Sequence, residues 1–119
     1  MSFTVYNAKG GRPSHEMAIT IDRSGRIYLN RKLQEELDCV DKPIKLLIAY
    51  EADTGRIGLA RPEDVEVEDY SPLSFGGERS YASARGFVTR FNIDNRETVR
   101  YVFDEVTPEG WMAFRREDE

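Results

Sequence analysis

Three times in this 119-residue chain a glycine-bearing turn separates two short apolar runs: at Asp22-Arg23-Ser24-Gly25, at Asp53-Thr54-Gly55 and at Thr107-Pro108-Glu109-Gly110. Such residues bring strand ends together, because Asp and Ser side chains bond the nearby backbone, Pro fixes its own φ and Gly tolerates a positive φ. The flanking runs are of strand length. MAITI and RIYLN surround the first turn, with Ile27 and Leu29 on one face and Tyr28 on the other. An almost continuous apolar strand and the alternating Arg56 to Ala60 surround the second, and two aromatic-bearing runs surround the third. Three hairpins restrict the chain to a mainly β, α+β fold.

Two short helices are predicted between the hairpins. In NRKLQEELD, Asn30 is a candidate N-cap, and Leu33 and Leu37 share a face at i, i+4; in SARGFVTRFNI, Phe87 and Phe91 do the same. The order helix, strand, glycine turn, strand therefore occurs over residues 31 to 61 and again over 84 to 116. Leu37 to Gly55 spans 18 positions and Phe91 to Gly110 spans 19. Identity between the units is slight, and similar packing needs produce such units without duplication. Residues 1–15 read as an N-terminal arm, with FTVY as a short edge strand. Residues 16–62 read as one domain, 63–82 as an acidic linker rich in turn residues, and 83–119 as a C-terminal helix and hairpin unit.

Composition narrows the function. Hydrophobic residues at 39% with 13 aromatics exclude a disordered chain. The longest apolar run, Ile44 to Tyr50, is interrupted by Lys45 and falls well short of the ~20 residues of a membrane-spanning helix. The N-terminus lacks the apolar core of a signal peptide, and the single cysteine, Cys39, forms no internal disulfide, so a cytoplasmic protein is expected. Catalytic groups are sparse. His15 is the only histidine and sits in a Gly/Pro-bearing segment, and one His with one Cys makes no zinc site of usual spacing. AKGGRPS lacks the order of a phosphate-binding loop. Glu35-Glu36 and Asp104-Glu105 are sequence neighbours whose side chains diverge. No enzyme, cofactor or metal is expected. Trp111, Tyr101 and Phe103 read as core rather than as a stacking platform, since aromatics in alternating strands usually face inward.

The net charge of −5 argues against coating nucleic acid by bulk charge. Its distribution says more. Lys9, Arg12, Arg23, Arg26, Arg31 and Lys32 fall within 24 residues against only Glu16 and Asp22, whereas EDVEVED, residues 63–69, carries five acids and no base.

The segment ITIDRSGRIYLNRKLQEEL…PIKLLIAYEADTGRIGLARPE resembles the AbrB/MazE/SpoVT-type swapped-hairpin domains over about residues 17–62. The pattern is carried by Asp22, Gly25, Arg26, Ile27, Leu29, Leu33 and Leu37, and by the strands at Leu46 to Tyr50 and Ile57 to Leu59. Where such domains often have a proline before the helix, this chain has Asn30, which can cap it. The resemblance implies a swapped-hairpin barrel built by a homodimer, and pairing copies would close strand edges that one such domain leaves open. It also implies DNA binding and transcriptional regulation through Arg23, Arg26, Arg31 and Lys32, with Arg12 and Lys9 as an arm. Against this stands the plain alternative that Arg26 pairs with Asp22 across its own turn. A second functional reading is a non-enzymatic, antitoxin-like or partner-inhibiting module, which dimerises through this fold and holds a protein with its acidic segment or C-terminal unit.

Overall fold

The Asp22 turn folds as its residues dictate. One carboxylate oxygen, Oδ1, accepts hydrogen bonds from the backbone N–H groups of Ser24 and Arg26, both at 2.9 Å, and Gly25 takes a φ of +81°. In the computed structural model, which describes residues 16–68, 70–77 and 80–117, this turn joins β1 (Ala18–Ile21) to β2 (Arg26–Leu29), with Ile19 opposite Leu29. Helix α1 (Arg31–Glu36) follows directly, capped as expected by Asn30, whose Oδ1 accepts from the Leu33 N–H at 3.0 Å. The hairpin β3 (Ile44–Glu51) and β4 (Arg56–Ala60) comes next, followed by a 3₁₀ turn at Pro62–Asp64. Beyond it lie β5 (Leu73–Phe75), β6 (Tyr81–Ser83), α2 (Arg85–Arg90) and the hairpin β7 (Val99–Val106) and β8 (Met112–Arg116).

All eight strands belong to one antiparallel sheet in the order β5-β3-β4-β8-β7-β1-β2-β6. Its two edge strands meet through Gly76 and Tyr81, each donating its N–H to the other's carbonyl at 3.1 Å. The result is a nearly closed barrel, which leaves little free strand edge. Ile19, Ile21, Ile27, Leu33, Leu46, Ile57, Leu59, Phe75 and Phe114 are fully buried within it. Cys39 is buried beside them, and burial pushes its thiol pKa up, away from the reactive thiolate.

The strand order contains a two-fold relation. If β1, β2, β3 and β4 are exchanged with β5, β6, β7 and β8, the order around the barrel is unchanged. Equivalent elements stand 54 to 56 positions apart: Arg31 and Arg85 open the helices, Ile44 and Val99 the long strands, Arg56 and Met112 the last strands. Local geometry repeats as well. Asp38 and Asn92, each just past its helix, adopt φ of +53° and +51°. The Cys39 N–H donates to the Gln34 carbonyl at 2.9 Å, as the Ile93 N–H does to Val88 at 3.0 Å. Each unit also grips the other's first turn: Leu29 N–H donates to the Ser80 carbonyl at 3.0 Å, and Ala84 N–H to the Gly25 carbonyl at 2.8 Å. The partial repeat legible from residue 31 onward therefore extends back to the leading strands.

Two expectations need correction. The stretch 63–82, read as a linker, supplies β5 and the first two residues of β6: Phe75 is fully buried, β5 pairs with β3 with Ile44 opposite Phe75, and β6 pairs with β2 with Ile27 opposite Ala82. The C-terminal helix and hairpin do not stand apart from the first unit's strands. β8 pairs with β4 and β7 with β1, inserting the hairpin into the middle of the sheet. Tyr101 is buried and Phe103 half-buried, packed edge-on against Phe114, in keeping with their core reading. Trp111 is half-buried and lies elsewhere. FTVY, Lys9, Arg12 and His15 lie outside the described residues.

Candidate nucleic-acid interface

Along β2 the side chains alternate, so Ile27 and Leu29 point into the barrel while Arg26 and Tyr28 point out. β6 pairs with β2 so that Tyr28 stands opposite Tyr81. Their rings pack 5.5 Å apart between centroids, and the Arg26 guanidinium lies over both, at 5.9 and 5.8 Å. Arg26 also donates from Nε to Asp22 Oδ2 at 2.9 Å, and the Tyr28 hydroxyl donates to the same oxygen at 3.2 Å. Burial alone would raise the Asp22 carboxyl, but the bonds from the Arg26 backbone and guanidinium and from Tyr28 outweigh it and hold it below the usual range. The cross-turn pair weighed from the sequence is thus present. It uses one of the five N–H donors of Arg26, whose side chain remains 45% exposed.

The other predicted cations take their places from the elements around this seam. Arg23, at the turn tip, is exposed and has no ion-pair partner among the described residues. Arg31 and Lys32 begin α1 at the opposite end of β2. Arg31 meets only Glu35, at 3.7 Å with both side chains more than half exposed, a pairing worth little. Lys32 is half-buried without an ion pair among the described residues. The fold adds a residue that sequence reasoning missed. Because β6 runs antiparallel to β2, Arg85 at the start of α2 returns to the Asp22 turn: a Cβ added to Gly25 would lie 2.8 Å from Arg85 Cγ. Arg23, Arg26 and Arg85 therefore gather at one end of the seam and Arg31 and Lys32 at the other. The available signal was the repeat itself, since Arg85 stands where Arg31 does in the first unit.

Opposite charge collects on the far side of the barrel, where β4 meets β8. There Arg56, with its side chain 16% exposed, bonds Glu51 at 2.8 Å, Asp104 at 2.8 Å and Glu105 at 2.7 Å. These three carboxylates, Glu51 first, raise the Arg56 pKa, and Arg56 together with Thr54 lowers that of Glu51. At a third place the Arg96 guanidinium and backbone N–H hold the Asp94 carboxyl down at about 2. The molecule thus segregates its charge. The β2–β6 seam offers guanidinium and ammonium groups among tyrosines, a chemistry suited to phosphates and stacked rings. The β4–β8 end sets Glu51, Asp104 and Glu105 against Arg56 and Arg115, an excess of one carboxylate.

Among the described residues no group of three or more His, Cys, Asp or Glu is placed to hold a metal ion, and no helix is long and apolar enough to cross a membrane. No family model matches the sequence, and there is no significant match to a curated protein or to a solved structure.

Proposed function

We propose that this chain is a DNA-binding regulator of the AbrB/MazE/SpoVT swapped-hairpin type, in which one polypeptide stands in for the homodimer. The two-fold strand order supports this reading. β1 of the first unit pairs with β7 of the second and β5 of the second with β3 of the first, so each unit's leading strand is held by the other. The edges that a homodimer was expected to close are paired within one chain. DNA binding rests on one observation above all: Arg23, Arg26 and Arg85 gather at one end of the β2–β6 seam and Arg31 and Lys32 begin α1 at the other, with Asp22 and Glu35 as their only ion-pair partners among the described residues. Such a ridge neutralises phosphates and releases counterions.

The two halves of the ridge differ. Arg31 has Arg85 as its counterpart, whereas Arg26 has Tyr81 and Lys32 has Gly86. The first unit then carries most of the contact. Arg23→Ala combined with Arg26→Ala is expected to weaken binding to random-sequence duplex DNA at low salt by about ten-fold or more. It should also reduce the slope of log affinity against log salt by about two, while Arg85→Ala reduces that slope by about one. Fluorescence anisotropy over a salt series checks this, with the thermal midpoint showing that each variant is folded. A salt slope unchanged in the folded double variant would sink the assignment. The alternative, a protein-binding module, draws on the opposite face of the barrel.

A further inference from the structure

At the β4–β8 seam the outer surface is hollowed into a cleft of about 220 Å³. Its floor follows from register. Gly58 pairs with Ala49 on one side and Ala113 on the other, so three adjacent strands put their smallest side chains on the face opposite Ile57 and Leu59. Trp111 forms one wall, and a Cβ added to Gly58 would lie 3.2 Å from its ring, so the glycine makes room for the indole. Two hydrogen bonds fix that wall: Trp111 N–H to Thr107 Oγ1 at 3.1 Å and Thr107 N–H to the Trp111 carbonyl at 2.8 Å.

Size and charge narrow the occupant. The volume is below the roughly 300–1,000 Å³ of small-molecule sites and suits a single side chain. Arg56 reaches into the lining, but Glu51, Asp104 and Glu105 outnumber it and Arg115, which faces Asp104 at 4.0 Å. Glu109, exposed on the rim, has no ion-pair or hydrogen-bond partner among the described residues. An excess of carboxylate beside an indole face is complementary to a planar cation, which stacks on the ring and bonds the acid together, as an ammonium does not.

We propose that this cleft receives an arginine side chain from a protein partner, with the guanidinium against Trp111 and its charge met by Glu109. The site lies on the other seam from the basic ridge and stands or falls independently of DNA binding. Trp111 is the only tryptophan in the chain, so its emission reports the cleft directly. The full chain is titrated with acetyl-Gly-Arg-Gly-Arg-Gly-amide and with the same peptide carrying lysine or citrulline in place of arginine. The arginine peptide should give a saturable change in emission. Its apparent affinity should drop by about three-fold or more on replacing arginine by lysine, and likewise in Glu109→Gln, a substitution at an exposed turn position that leaves the fold intact. The citrulline peptide should give no saturable change. No saturable response to arginine, an equal response to citrulline or lysine, or an unaltered affinity in Glu109→Gln would each overturn the assignment.

Discussion

Phe75→Ala is expected to lower the thermal midpoint by about 10 to 25 °C, although Phe75 sits in a three-residue strand within a stretch that reads as a linker. The phenyl ring is fully buried and β5 holds one edge of β3, so truncation removes core contacts and leaves a cavity beside β3. The loss, about 3 to 5 kcal/mol, is a large part of what a domain of this length has to spare. Glu66→Ala and Glu68→Ala, exposed and earlier in the same stretch, should each stay within about 0.5 kcal/mol of the parent. Thermal unfolding followed by circular dichroism checks both. A Phe75→Ala midpoint as close to the parent as those of the two controls would mean that β5 is not part of the sheet.

Two glycine-to-alanine substitutions should move stability in opposite directions. Gly110, in the β7–β8 turn, has a φ of +102°, and a Cβ there would run into the backbone carbonyl oxygen of Asp64 and lie 3.4 Å from Val65 Cγ1. Both the backbone conformation and the packing forbid a side chain, so Gly110→Ala should cost about 2 to 4 kcal/mol. Gly86, within α2, has nothing within 4 Å of its added Cβ, and Gly86→Ala should stabilise by about 0.5 kcal/mol through the reduced entropy of the unfolded chain. Urea unfolding midpoints decide the matter. A neutral Gly110→Ala would remove the contact that docks the third hairpin's turn against the 3₁₀ turn following β4.

What was legible in the sequence was what short-range chemistry controls. The Asp22 and Gly55 turns, the alternation of Ile27, Tyr28 and Leu29 and the Asn30 cap each act within a few residues, and each is found in the fold. The hidden parts depend on partners far along the chain. β5 and β6 are three residues long, too short for an alternating period, and they exist because β3 and β2 pair with them. The second helix was legible from Phe87 and Phe91 alone, since Ala84 stands where Asn30 caps the first and contributes no side-chain bond. The repeat was visible in the matched spacing from Leu37 to Gly55 and from Phe91 to Gly110. Its leading strands were not, because LSF and YAS, although they repeat the apolar–hydroxyl–apolar order of ITI and the central buried residue of RIY, are too short for that match to stand out in sequence. The same distance effect hid part of the candidate site. Arg23, Arg26, Arg31 and Lys32 are close in sequence, whereas Arg85 and Tyr81 reach the seam only through the pairing of β6 with β2.

The central claim, that one chain forms the whole barrel and binds DNA as a unit, is tested most directly by the mass of its complex with a labelled random-sequence duplex, measured by sedimentation equilibrium at low salt. The account predicts that the first species formed adds one 13.7 kDa chain to the duplex and dissociates as salt is raised. A first species that adds two chains at once, or a duplex that gains no mass at all, would contradict it.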